Sequence, residues 1–349
     1  MGRSPNNKSV TAKRNDVARL AGVSGTTVSF VFSKKRYVSP ELSERVLRAA
    51  KELNYHPDMV AASMGSGRTN SIAVLTDDIV SPLQMEIVSA LQESAIDAGF
   101  FVHICGGTKK LDEYINNIIS RKVDGVFLSV SIAMVNNECI LKLLERGISV
   151  IVTSSRGFSD DRVCGLELDF TAGMKSIVEY LMSLGHSKIA YLSCYDEQDG
   201  KDRRLPAFKR YMNELLGQEN PLIEMAAPPY DSTIEQGYLL MNRLIGRTSD
   251  FTAVVCTNDL MAYGAMCALR EKGVGIPSEV SVVGIDDIMF SRAFFPPLTT
   301  LSHCCQEYGR RIFEILLANI EDSKCVTRDV IEPKLVVRES TAICRDRRA

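Results

Sequence analysis

From Ser71 onward the chain alternates short apolar runs rich in β-branched residues with longer segments whose apolar positions recur every three to four residues. The runs at 71–75, 101–105, 125–129, 149–153, 188–193, 253–257 and 281–285 read as strands. The segments at 83–98, 111–120, 140–146, 173–184, 205–216, 234–244 and 260–271 read as helices. Strands that are apolar on both faces need cover on both faces, so this pattern predicts parallel sheets sandwiched between helices. The stretch from 71 to 345 is too long for one such sheet, and two α/β lobes are expected.

In open parallel sheets ligands sit beyond the carboxyl ends of the strands. The loops there hold Asp77-Asp78, Ser129, Ser154, Asn258-Asp259 and Asp286-Asp287. No glycine-rich phosphate-binding motif accompanies them, which argues against a dinucleotide or nucleoside triphosphate. No Ser/His/Asp order, nucleophile elbow or metal-ligand spacing is present, and His56, His103 and His186 suit structural roles. Fixed hydrogen-bonding groups without a catalytic set point to recognition of a hydroxyl-rich small molecule, with no enzyme activity, cofactor or metal.

The ten cysteines are scattered and form no CxxC pair. Buried free thiols in a reducing compartment are the simplest account, which points to the cytoplasm. The polar, basic first residues lack the apolar core of a secretion signal, and no run approaches the ~20 apolar residues of a membrane span.

The formal net charge of −2 conceals an asymmetry. Residues 1–56 carry eleven Lys/Arg against four Asp/Glu, whereas the remainder is acidic. A basic head on an acidic body is the footprint of polyanion binding at one end. Within the head, 16–21 reads as a short helix with Val17, Leu20 and Ala21 on one face. Gly22-Val23 makes a turn, Ser24 caps a second helix through Phe32, and Ser39-Pro40 opens a third that ends before Pro57. Two short helices around a glycine turn, with a third in support, form a helix-turn-helix domain whose second helix enters the major groove. Gly25, Thr26 and Phe30 are then the candidates for base readout, Phe30 by apolar contact alone. Ser24, Thr27, Ser29 and the run Lys34-Lys35-Arg36 suit phosphate contacts.

The segments Asp-Val-Ala-Arg-Leu-Ala-Gly-Val-Ser (16–24), Thr-Val-Ser (27–29) and Arg-Val-Leu-Arg-Ala-Ala-Lys-Glu-Leu-Asn-Tyr-His-Pro (45–57) together resemble the signature of the LacI/GalR repressor family. The resemblance runs through almost the whole chain. It implies a helix-turn-helix domain at 1–56, a hinge at 57–70 and a periplasmic-binding-protein-like effector domain at 71–345. Its lobes would span about 71–169 with 298–325, and about 170–297 with 326–345. On composition the hinge fits a flexible linker equally well, since two helical turns with Gly65 and Gly67 are marginal alone. The resemblance makes it a hinge helix that enters the minor groove, with Met64 as the apolar wedge. Lys13 stands where relatives usually carry a capping Thr, and Phe30 where they often carry a polar base reader.

In the body, Arg204-Leu205-Pro206-Ala207-Phe208, Thr257-Asn258-Asp259 and Val282-Val283-Gly284-Ile285-Asp286-Asp287 are similar to effector-binding segments of the family. They give Arg204, Asn258 and Asp286 as effector contacts. Leu83, Gln84, Arg156 and His303 occupy further family positions at the site, and Asp78 joins them from the loop after the first strand. Leu83 and Gln84 replace aromatic residues common there, and with His303 they favour a sugar or sugar derivative over a flat base. The implied protein is a homodimeric repressor on a pseudo-palindromic operator in double-stranded DNA, controlled by that effector. A nucleoside or nucleobase effector, and an effector-independent DNA-binding protein, are the alternatives.

Overall fold

The computed structural model of the chain describes residues 12–33, 36–57, 67–107, 110–129, 137–153, 160–195, 203–228 and 232–345. The chain divides into two compact units, Met1–Thr69 and Asn70–Ala349.

The first unit holds α1 (Arg14–Ala21), α2 (Gly25–Ser33) and α3 (Pro40–Glu52). The start of α1 lies two residues before the predicted one, at an N-cap Lys13 whose backbone N–H donates to Asp16 Oδ2 (3.0 Å). This charged acceptor also favours the positive helix end. Gly22 ends the helix with φ +62°, and Arg45 of α3 donates to the Ala21 carbonyl there (2.6 Å). The core of the unit is Val17, Ala18, Ala21, Val28, Val46, Ala49 and Ala50. Leu20, expected inside, is 47% exposed, and Ala18 takes its place beside Val17 and Ala21, so the inward face of α1 is turned by only a fraction of a turn from the predicted stripe.

Among the described residues, the second unit holds two six-stranded sheets. The first contains β1 (Ser71–Thr76), β2 (Phe101–Gly106), β3 (Gly125–Ser129), β4 (Ser149–Val152) and β5 (Cys164–Leu168). The second contains β6 (Ile189–Ser193), β7 (Leu222–Met225), β8 (Ala253–Cys256), β9 (Ser281–Asp286) and β10 (Thr299–Ser302). Strand β11 (Arg328–Ile331) joins the first and β12 (Lys334–Val336) the second, giving the orders β11-β5-β4-β3-β1-β2 and β12-β10-β9-β8-β6-β7. All pairs are parallel except β10 with β12.

Every residue of β1 is buried, because successive side chains enter cores on opposite faces: Ile72 and Val74 on one, Ala73 and Leu75 on the other. Each of the larger ones, Ile72, Val74 and Leu75, contributes about 1.5–3 kcal/mol by leaving water. The first sheet is covered by α4 (Pro82–Asp97), α5 (Leu111–Arg121) and α6 (Asn137–Leu144). The second is covered by α7 (Phe170–Ser183), α8 (Arg204–Leu216), α9 (Ile234–Arg247) and α10 (Asp259–Glu271). Helices α9 and α10 cross closely: a Cβ added to Gly264 would lie 1.9 Å from the Ile234 carbonyl oxygen.

The lobe boundaries differ from those expected. Residues 299–302 pair with β9 in the second sheet, and the chain returns to the first lobe only with α11 (Cys305–Glu321). Residues 328–331 then lie beside β5 in the first sheet, inside the range expected for the second lobe. The segment from 298, expected to return to the first lobe, instead continues as a further strand of the second sheet. The chain thus passes between lobes at 169, 303–304 and 332–333.

Candidate DNA-reading head and interlobe site

On the reading helix α2, Ser24 caps the first turn: its Oγ accepts from the Thr27 N–H (3.0 Å) and lies 2.9 Å from Thr27 Oγ1. Ser29 Oγ donates to the Gly25 carbonyl (3.2 Å) and accepts from Arg14 (3.3 Å), so its hydroxyl is engaged inside the head. Gly25 allows α1 to approach, since a Cβ there would stand 3.2 Å from Asn15 Oδ1. Thr26 is exposed. Helix α2 carries no charged residue, and Phe30 is covered from the side: the Arg36 guanidinium lies over its ring, 5.4 Å from the centroid. The ring expected to offer only an apolar face therefore also carries a cation. Met64, Lys34 and Lys35 lie outside the described residues, as do Ser154 and Arg156.

In the second unit the strand ends bring several expected residues together at the lobe junction. Asp286 ends β9 and His303 follows β10, its register neighbour. Both are buried, with His303 Nε2 3.4 Å from Asp286 Oδ1. That separation suits an ion pair, yet the angle leaves Nε2 without a hydrogen-bond partner in the structure. Burial first, and the Arg204 guanidinium second, push the imidazole down to about 3, so it is neutral. Burial, with Asp259 nearby, holds the Asp286 carboxyl well above the ordinary range, against the opposing pull of Arg204. The two shifts agree, since a neutral imidazole beside a carboxyl that resists ionisation is a self-consistent pair.

Arg204 opens α8, donates to the Thr257 carbonyl (2.8 Å) and lies 5.3 Å from the centroid of Phe170. The Phe170 ring in turn meets His303 edge-on at 5.4 Å. Phe170 was not foreseen; its signal was an aromatic residue immediately after the first crossover. Asn258 is the N-cap of α10, with Oδ1 accepting from Met261 N (2.9 Å) and Nδ2 donating to the Ser232 carbonyl (3.0 Å). Its amide is largely committed to the fold. Neighbouring Asp259 is fully buried and accepts from Ile288 N (3.1 Å), Ser291 Oγ (2.5 Å) and Thr300 Oγ1 (2.5 Å), tying α10 to the strand ends.

From the first lobe, Leu83 at the start of α4 packs against the apolar cores of both lobes. Gln84 Oε1 accepts from Ser129 Oγ (2.5 Å), so its orientation is fixed by the end of β3. Asp78 is exposed and turned into its own loop, with Oδ1 accepting from Val80 N (2.7 Å); the structure does not bring it to Asp286 and His303 by any contact. At the junction, burial pushes the Cys305 thiol up to about 12, so it stays protonated. No group of three or more His, Cys, Asp or Glu among the described residues is placed to hold a metal ion. A separate pocket of about 370 Å³ opens near Lys188, Asn220, Arg247 and Asp250, at the amino ends of β6 and β7 and so away from Asp286.

Comparison with known proteins agrees with this architecture. The profile of the bacterial regulatory proteins of the lacI family matches residues 15–58, and that of the periplasmic binding protein-like domain matches 178–341. The HTH-type transcriptional repressor PurR of Mannheimia succiniciproducens is 33% identical over 333 residues, covering 93% of this chain and 97% of that protein. Its counterpart in Histophilus somni is 32% identical over 332 residues, with the same coverage of 93% and 97%. Among solved structures, the lac repressor dimer bound to operator and the anti-inducer ONPF superposes with a TM-score of 0.77 at 25% identity, over 95% of this chain and 99% of that one. The complex of the transcriptional regulator CelR with cellobiose gives 0.69 at 27% identity, over 94% and 99%. With that likeness carried across both units, this chain belongs to the lacI family of bacterial regulatory proteins.

Proposed function

We propose that the chain represses transcription by binding an operator through its head, under the control of a hydroxyl-rich small molecule, a sugar or sugar derivative, gripped between the two lobes. The observation that carries the reading is the Asp286–His303 pair, with its unpartnered Nε2, at the lobe junction. An unsatisfied buried polar atom costs about 1–3 kcal/mol. A ligand hydroxyl placed between carboxyl and imidazole would recover that, with the Arg204 guanidinium alongside. The cellobiose held by the similar CelR protein supports the same ligand class.

A nucleobase is the second reading, favoured by the aromatic face of Phe170 next to Arg204 and His303. Against it, Leu83 and Gln84 supply no ring to complete a stack, and the Gln84 amide is already turned to Ser129.

In this account two chains pair about a two-fold axis, as in the lac repressor dimer on its operator, and present two heads to a pseudo-palindrome. Effector binding shifts the balance between lobe arrangements, hence the spacing of the two hinge segments and the stability of the DNA complex. Thr26 and Phe30 face the bases, and Met64 is the wedge. Binding to an operator places the protein in the cytoplasm, with the DNA it regulates. Thermal denaturation of the full chain against cellobiose, glucose, ribose, adenine and guanosine tests the effector. Selection from random duplexes tests the operator. A stabilising sugar and a two-fold motif are expected, and stabilisation by the base compounds alone would overturn the sugar reading.

A further inference from the structure

The turn after β9 carries Asp286, and its backbone is held in an uncommon way. Asp286 and Asp287 have φ of +128° and +58°, a region that side chains avoid, so the turn persists only because its surroundings over-determine it. The next three amides show how. Asp287 N–H donates to Thr300 Oγ1 (3.3 Å), Ile288 N–H to Asp259 Oδ2 (3.1 Å) and Met289 N–H to Glu86 Oε1 (2.7 Å). Thr300 and Asp259 belong to the same lobe as the turn. Glu86 stands on α4, in the opposite lobe, and its bond is the shortest of the three. Leu83, one turn earlier on α4, packs against both lobes' cores, so the start of this helix and the 286–289 turn meet at one seam. The Glu86 carboxylate also opposes ionisation of Asp286, as expected of a charge close to the site.

We infer that Glu86 is a positioning residue for the effector site, clamping the strained Asp286–Met289 turn from across the cleft so that Asp286 holds its ligand-facing geometry only while the lobes are together. The inference rests on the reading of Asp286 as a ligand contact. It gives lobe closure a route to ligand affinity through a residue that does not touch the ligand.

The test uses the full chain as wild type, Glu86→Ala, Glu86→Gln and, as a control on the same helix, Glu93→Ala. Hydrogen–deuterium exchange without ligand is read on peptides spanning 287–289 and, for comparison, 189–193. Loss of a charge-assisted bond should speed exchange at 287–289 about tenfold in Glu86→Ala. Glu86→Gln, which keeps an acceptor oxygen, should restore most of the protection, and 189–193 should not change. In a second arm, whichever of cellobiose, ribose or guanosine stabilises the wild type should bind Glu86→Ala about tenfold more weakly and Glu86→Gln less than threefold more weakly. Wild-type exchange at 287–289 in Glu86→Ala, or equal loss in both Glu86 variants, overturns the inference. If no compound stabilises the wild type, the effector reading fails on its own, while the exchange arm still decides the role of Glu86.

Discussion

Acid should destabilise this protein through His303. In the folded chain burial and the Arg204 guanidinium take the imidazole down to about 3. In the unfolded chain it returns to about 6.5. Between those values the unfolded chain binds a proton that the folded chain refuses, so stability falls as the pH drops below about 6.5. Above that both states are neutral at this position and it contributes nothing. Each unit inside the window is worth about 1.4 kcal/mol, so acidifying from pH 6.5 to 5 should remove about 2 kcal/mol. Asp286 acts with the opposite sign. Its raised folded value means that the folded chain keeps a proton longer than the unfolded one, which favours folding on the acid side and is lost as the pH rises.

The wild-type profile mixes the two groups, and the variant His303→Gln separates them, because an amide fills the space and does not titrate. Urea unfolding followed by circular dichroism, repeated between pH 7.5 and 5, gives a stability for each chain. The difference between the chains should stay constant above about pH 6.5, then move by about 2 kcal/mol in favour of the variant by pH 5. Parallel profiles would mean that the folded chain already accommodates the charged imidazole, and would refute a dry Asp286–His303 pair as the heart of the site.

Three further substitutions probe other parts of the fold. Gly264→Ala would place a Cβ 1.9 Å from the Ile234 carbonyl oxygen and 2.5 Å from Tyr238 N, forcing α9 and α10 apart. A loss of about 3 kcal/mol is expected, visible by calorimetry as a melting temperature lowered by several degrees. Phe30→Ala removes the ring under Arg36; with an exposed cation–π contact worth about 0.5–1 kcal/mol, anisotropy on a selected duplex should show two- to fivefold weaker binding. Ser24→Ala deletes the cap of α2, and the head should lose about 1 kcal/mol, read as faster limited proteolysis within 12–57 of the full chain.

The parts of the fold that were legible in the sequence are those where one segment decides its own fate. Strands β1, β3, β6, β8 and β9 are buried on both faces, so each reads as an unbroken apolar run. Strands β5, β11 and β12 escaped notice because Gly165, Glu167, Asp329 and Lys334 interrupt them; neighbouring strands, more than their own composition, make them strands. Helix α11 was equally unforeseen, although Tyr308, Ile312, Phe313, Ile315 and Leu316 form a helical stripe. At the site, Asp286 and His303 were named from family positions, whereas Glu86 and Phe170 matter only through groups far away in the chain. No local pattern signals a bond across 203 residues.

The placement of the site on the connections between lobes bears on how binding energy could reach the head. A ligand shifts an equilibrium between lobe arrangements only by the difference in its affinity for them. A pocket formed within one lobe would have no such difference. Here His303 lies on the second crossover and Phe170 directly follows the first, while Asp286 belongs to a turn held from both lobes. A rotation of one lobe must therefore move Glu86 and Gln84 of the first lobe against Asp286, His303 and Arg204 of the second. The 2.7 Å bond from Met289 N–H to Glu86 Oε1 leaves little room for such a change before it is broken. A ligand that touches the Asp286–His303 pair and also the first-lobe helix bearing Gln84 and Glu86 is sensitive to the lobe angle through its own contacts. A coupling of about 1–3 kcal/mol, ordinary for allosteric proteins, then requires only one or two hydrogen bonds made in one arrangement and lost in the other.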